Sequence, residues 1–192
     1  MEESVGGAGR SSPPFIEAAT MALLADPLDF LFAEHFRQRK LCNLLEGMAL
    51  SGFLDTRLAV GVLDFLQRDL VLHVADEEED LFPLVRRRCK AGDQIDRVLS
   101  KLSAEHVDDH HLASILADGL QHAVSHSRSI AEEPGLSDVM ADFARNERRH
   151  LALENAVLLP LARRRLAAAD LAELSARMAC RRGGTGTSQI LR

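Results

Sequence analysis

Tryptophan and tyrosine are both absent from the 192 residues, and eight phenylalanines are the whole aromatic complement. A stacking surface for single-stranded nucleic acid therefore lacks its best residues. There is also no phenol to donate a hydrogen bond or carry a radical beside a metal. Positive charge is in deficit: Lys plus Arg number 23 against 29 for Asp plus Glu, a formal charge of -6. That sign disfavours non-specific binding to phosphate backbones. No apolar run approaches the roughly 18 residues of a membrane span. Neither nucleic acid nor membrane is expected as a partner. Cysteine is sparse and unpaired in pattern: Cys42, Cys89 and Cys180 include no Cys-x2-Cys, so neither a disulfide frame nor a thiolate zinc site is suggested. All three are expected to be small buried or half-buried hydrophobes. The start has no basic segment feeding a long apolar one, which argues against a signal peptide and makes a reducing cytoplasm the expected compartment. Strand-type alternation is nearly absent as well.

What is present is helical periodicity between two small-residue ends. Residues 1–14 hold Gly-Gly, Ser-Ser and Pro-Pro, and the last eleven residues repeat that character. A disordered tail is expected over 1–20, a single helical domain over 21–181 and a flexible tail over 182–192. Five helices are expected, over about 26–50, 55–90, 93–127, 137–166 and 170–181. Asp26 caps the first, with Pro27 at its first helical position. Four long helices with short connections imply an all-α, up-down four-helix bundle with a short fifth C-terminal helix.

The eight histidines carry the chemistry. His73-Val-Ala-Asp-Glu77 and His150-Leu-Ala-Leu-Glu154 both read His-x3-Glu-x5-Pro-Leu, 77 residues apart. Ala33-Glu34-His35 recurs as Ala104-Glu105-His106, 71 residues apart. The chain thus reads as a duplicated helical hairpin, each half giving Ala-Glu-His on one helix and His-x3-Glu on the next. Residues four apart lie one turn from each other on one helix face. A His and a Glu so placed can bind one metal ion, or two adjacent ions with the carboxylate between them. His106 and His110 form a further pair at four. The candidate ligands are His35, His73, Glu77, His106, His110, His150 and Glu154.

The surroundings favour ligation. Helical offsets place His35 with Leu28, Leu31, Phe32, Cys42 and Leu45, and His73 with Leu66, Leu70, Leu81 and Leu84. His106 falls with Leu99, Leu102, Ala113 and Leu116, and His150 with Phe143, Leu153, Val157 and Leu161. Burying so many polar rings without a common partner is costly, and a metal satisfies them together. His111 lies about 100° round the helix from His110 and is not expected as a ligand, and His122 and His126 fall on another face and are expected in solvent. Asp76 and Asp80 lie near the His73 stripe and are candidates to hydrogen-bond ligand imidazoles. Pro83 and Pro160 should each kink or end a helix just past its Glu.

These residues resemble the hemerythrin-like, or His-His-Glu cation-binding, family in its bacterial subset, over about residues 27–166. The resemblance implies a four-helix bundle around two non-haem iron ions with a bridging oxo or hydroxo group. It implies His35 as the first-helix ligand, His73 and Glu77 as the second-helix pair, His106 and His110 as the third-helix pair and His150 as the fourth-helix imidazole. Glu77 and Glu154 would bridge. Oxygen carriers of the family place an Asp five residues after the last His, where this chain has Asn155, with Glu154 one residue earlier. Two or three imidazoles are expected on each iron, with one iron keeping an open position.

Imidazole and carboxylate together also suit manganese or zinc. The implied function is binding or sensing of dioxygen, peroxide or nitric oxide, with slow peroxide or oxidase turnover as an extension. The alternatives are iron handling or delivery, or a partner-binding bundle with a structural metal. Ferritin-like sites use Glu-x2-His on each of two helices, and here Glu147-Arg-Arg-His150 has no second copy.

Overall fold

The computed structural model describes residue 16 and residues 19–183. The tails expected over 1–20 and 182–192 lie for the most part outside the described residues. Asp26 starts helix α1 (Pro27–Ser51) as the sequence predicts, its side chain accepting from the N–H groups of Leu28 and Asp29. Gly52 ends it in the left-handed region, φ 66°, and a Cβ there would stand 3.1 Å from the Ala131 Cβ. Both the conformation and the contact ask for glycine. The remaining long helices are α2 (56–88), α3 (Ile95–His126) and α4 (136–165), followed by the shorter α5 (Ala168–Arg181). Every described regular element is helical.

Neither Pro83 nor Pro160 ends its helix. Each is preceded by a wide π turn, Asp76–Leu81 in α2 and Glu154–Leu158 in α4. In these turns the N–H of Phe82 bonds the Glu77 carbonyl and that of Leu159 bonds the Glu154 carbonyl, five residues back. Proline lacks an N–H and crowds the carbonyl four residues back. A locally widened turn lets the helix run on past it to Arg88 and Arg165. A third wide turn, Phe65–Asp69, has no proline after it. The extra residue in each turn rotates the downstream part of the helix. Leu158 is therefore buried in α4, while Val157, expected in the core, is exposed. Phe32 of α1, also expected inside, is 54% exposed.

α1 packs along α4, α4 along α3, and α3 along α2, an antiparallel bundle with short connections. Its interior divides into two apolar clusters. One gathers Leu28, Leu31, Phe82, Leu99 and Leu159, the other Leu41, Leu45, Phe65, Leu116 and Phe143. The histidine positions of all four helices fall between these clusters in sequence. Cys42 is buried, Cys89 half-buried and Cys180, contrary to expectation, exposed; all three are free.

α5 is fastened to α2 and the first apolar cluster. Leu174 and Met178 enter that cluster, each contributing about 1.5–3 kcal/mol by burial. Asp170 accepts from Arg87 and Arg88. Arg181 reaches Asp76 at 2.8 Å and Asp80 at 2.5 Å, Arg182 reaches Asp76 at 2.6 Å, and Arg177 reaches Asp80 at 3.1 Å. Asp76 and Asp80 therefore face arginines of α5 and its C-terminal end, rather than the ligand imidazoles expected from sequence. One turn of α2 points Glu77 into the bundle and its neighbours at α5.

Candidate metal centre

Each long helix sends one imidazole into the belt between the apolar clusters: His35, His73, His106 and His150, all at most 8% exposed. The π turns of α2 and α4 begin at Asp76 and Glu154, so Glu77 and Glu154 project inward where the backbone widens. Both carboxylates are fully buried. Two groups result, His35, His73, Glu77 and Glu154, and Glu77, His106, His150 and Glu154, with ligand atoms within 4.8 Å of one another in each. The two carboxylates belong to both groups.

The distances are those of donors awaiting a common acceptor. Glu77 lies 3.6 Å from His35 Nε2, 3.4 Å from His73 Nε2 and 3.3 Å from His106 Nε2. Glu154 lies 3.4 Å from His35 Nε2 and 3.1 Å from His150 Nε2. The Nε2 atoms of His106 and His150 are 3.0 Å apart. Two nitrogens bound to one ion at about 2.1 Å can stand that close. His35 Nε2, His73 Nε2 and all four carboxylate oxygens are buried and have no hydrogen-bond partner among the described residues. A buried orphan polar atom costs about 1–3 kcal/mol, and six of them converge here. Two cations shared between the carboxylates satisfy the whole set.

Three imidazoles are held by their far nitrogens. His35 Nδ1 donates to the Asn155 side-chain oxygen at 2.9 Å, His106 Nδ1 to Glu78 at 2.6 Å, and His150 Nδ1 to Glu105 at 3.3 Å. The Ser103 hydroxyl donates to Glu78 in turn. Such bonds fix ring orientation and present the opposite lone pair to a metal. Asn155, the residue at the position where oxygen carriers have Asp, thus orients a ligand instead of supplying one.

Protonation follows the same geometry. Burial holds His73 neutral, down to about 3, so its lone pair is free. Burial opposes charge at His106 and His150 too, but the Glu77 and Glu154 carboxylates beside them, 3.3 and 3.1 Å away, outweigh it and push them up to about 9 and about 10. Burial raises both shared carboxyls; the imidazoles around Glu77 nevertheless hold it low, while the neighbouring Glu77 charge adds to the burial that raises Glu154.

Of the seven candidate ligands the structure brings together six. His110 is exposed and lies outside both groups. The reason is the phase of α3. Its buried face runs Ile95, Leu99, Leu102, His106, Asp109, Ala113, Leu116, Leu120 and Ala123, alternating steps of four and three. After His106 the step of three selects Asp109. Each group consequently has two imidazoles, and neither has the third that the His106–His110 pair would supply. His122 and His126 are exposed, as expected, His111 is exposed too, and His122 pairs with Glu133 at 3.0 Å.

A cavity of about 450 Å³ adjoins the centre, lined by His73, His106 and His150 among others. Gln38, Asp109 and Glu147 also line it. All three are buried, and both polar atoms of Gln38 and one oxygen of Asp109 have no hydrogen-bond partner among the described residues. Burial raises the Asp109 carboxyl to about 6 and the Glu147 carboxyl to about 7. Sequence reasoning passed over Gln38 and Asp109; the alternating stripe of α3 is the signal that marks Asp109. Nearby, Glu34 and Arg37 form a buried pair on α1 that Asp69 extends.

A four-helix bundle with two buried His/His/Glu/Glu groups sharing two carboxylates has the arrangement of a dinuclear non-haem iron centre of the oxygen-binding kind. Residues 26–162 match the hemerythrin HHE cation binding domain. The chain belongs to that family. A search among curated proteins finds no match. No helix among the described residues is long and apolar enough to cross a membrane.

Proposed function

We propose that this protein binds dioxygen, peroxide or nitric oxide at a di-iron centre, as a sensor or a slow peroxide- or oxygen-consuming catalyst. His35 and His73 would hold one iron, His106 and His150 the other, with Glu77 and Glu154 between them. The observation that carries this reading is the convergence of buried imidazoles and carboxylates from all four helices, with the Nε2 atoms of His35 and His73 and all four oxygens of Glu77 and Glu154 left without a hydrogen-bond partner among the described residues. An iron pair, when bound, supplies the redox electrons and the coordination position for such a ligand. The chain's own residues do the rest. Asn155, Glu78 and Glu105 orient three of the imidazoles. Leu66, Leu70, Val74 and Ala113 keep the neighbouring cavity apolar, and Glu147 and Asp109 place protonatable groups in its wall. With two imidazoles per ion, the protein leaves positions on both for bridging groups and small ligands.

Iron storage of the ferritin kind fits less well. Glu147, the one Glu paired as Glu-x2-His, lines the cavity and joins neither group. A cytoplasmic location agrees with three free thiols. The test is to reduce the iron-loaded protein anaerobically and add dioxygen or nitric oxide. A spectral change saturating at one ligand per iron pair, with iron retained, is the expected result. Ferric iron released to solution would contradict binding and favour iron handling.

A further inference from the structure

We propose that the cavity beside the centre is a binding site for a neutral organic molecule with an apolar body and a hydroxyl-type head, as in alcohols, phenols and organic hydroperoxides. The proposal deepens the di-iron reading and rests on it for the exclusion of a cationic head.

The cavity measures about 450 Å³, whereas a water-sized ligand occupies roughly 30 Å³. A diatomic gas or hydrogen peroxide leaves most of it empty. Its volume falls in the range of pockets for small organic ligands, about 300–1,000 Å³. Its walls favour a hydrocarbon body: Leu66, Leu70, Val71, Val74, Val107 and Ala113 all line it. Val71 and Val107 are 51% and 70% exposed, and together with exposed His110 they mark the mouth.

The deep wall carries the polar groups. Gln38 is 1% exposed, Glu147 3% and Asp109 6%. The Gln38 amide and one Asp109 oxygen are enclosed without a partner among the described residues, which is costly, and a ligand head that pairs with them recovers that cost. Two carboxyl groups repel an anionic head. The two cations beyond His73, His106 and His150 repel an ammonium head. A hydroxyl both donates to carboxyl or amide oxygen and accepts from an amide or a protonated carboxyl. It is neutral, so neither the carboxyl groups nor the cations would repel it.

The test uses the two-iron protein and four probes of similar body: 2-phenyl-2-propanol, the corresponding hydroperoxide, the corresponding amine, and benzoate. Isothermal titration should show saturable binding of the alcohol near one per chain, at least tenfold tighter than amine or benzoate. Val71→Trp, at the exposed mouth, and Glu147→Leu, at the deep wall, should each weaken alcohol binding about tenfold or more with iron content unchanged. The hydroperoxide arm, run with ascorbate as two-electron reductant so that each hydroperoxide gives the alcohol and water, separates a substrate from a resident alcohol or phenol: consumption inhibited competitively by the alcohol identifies the hydroperoxide as the substrate. Iron retained with no alcohol binding, or amine or benzoate binding more tightly, overturns the cavity proposal alone. Alcohol binding by a protein that takes up no iron overturns the di-iron reading alone.

Discussion

Glu77 stands within 3.6 Å of three imidazoles from three different helices, so its charge is common to both groups. Glu77→Gln keeps the volume and removes the charge. Iron content should fall from two to fewer than one per chain with helicity by circular dichroism unchanged; two irons retained would show that the carboxylate is not shared. Asn155→Ala removes the far-nitrogen partner of His35. Loss of such a bond typically costs about 10–100-fold in metal affinity, and metal competition titration should show that loss at one ion of the pair. His110→Ala should leave the iron count at two, since its side chain is exposed. At this scale the convergence of six candidate ligands was legible because duplication repeats their spacing in both halves. His110 misled because a spacing of four is necessary for a shared face and insufficient to say which face. Asp109 was legible only from the three-and-four alternation along the whole of α3.

Helix α5 illustrates what patterning shows and what it hides. Its existence and length follow from periodicity and the Gly-Gly that succeeds it, but its docking place does not. In sequence Asp76 and Asp80 read as support for the ligand imidazoles. The structure gives Asp76 and Asp80 to Arg177, Arg181 and Arg182, a pairing between segments about 100 residues apart that no local spacing encodes. Arg181→Ala should destabilise by about 1–3 kcal/mol, since it strips buried carboxylates of one partner while others remain; denaturant melts measure it. Asp170 gives a pH dependence. Hydrogen bonds from Arg88, the Ala167 N–H and Arg87 hold its carboxyl at about 2. A depressed folded value stabilises above the unfolded value of about 3.9 and is lost as pH falls through about 2. The Asp170→Asn variant should therefore show a smaller loss of stability than the parent between about pH 4 and 2, read by melting at each pH. The wide turns before Pro83 and Pro160 were signalled by the prolines, though as kinks or ends; an added residue of register resolves the clash while keeping the helix, and it is what displaces Val157 from the core.

Across the whole molecule the two hairpins are joined through their ligands. The first supplies His35, His73 and Glu77, the second His106, His150 and Glu154, and each group takes both imidazoles from one hairpin but one carboxylate from each. Two ions would thus tie the halves of the bundle together across the polar belt between the two apolar clusters. Binding to the native state alone stabilises by about 4 kcal/mol at a thousandfold excess over Kd. In a chain of this size that corresponds to a rise of roughly 8–16 °C in melting temperature, and removing the metal by chelation should reverse it. The bundle itself was legible from four long apolar periods and short connections. The cavity was not, because its residues come from α1, α2, α3 and α4 and are brought together only by packing. That these helices hold an iron pair is tested most directly by purifying the protein aerobically, counting metals per chain and recording the visible spectrum, where the absence of tryptophan and tyrosine leaves the near ultraviolet almost clear. Two irons per chain with the absorption of a bridged ferric pair is the result expected; a single zinc, or no metal, would contradict it.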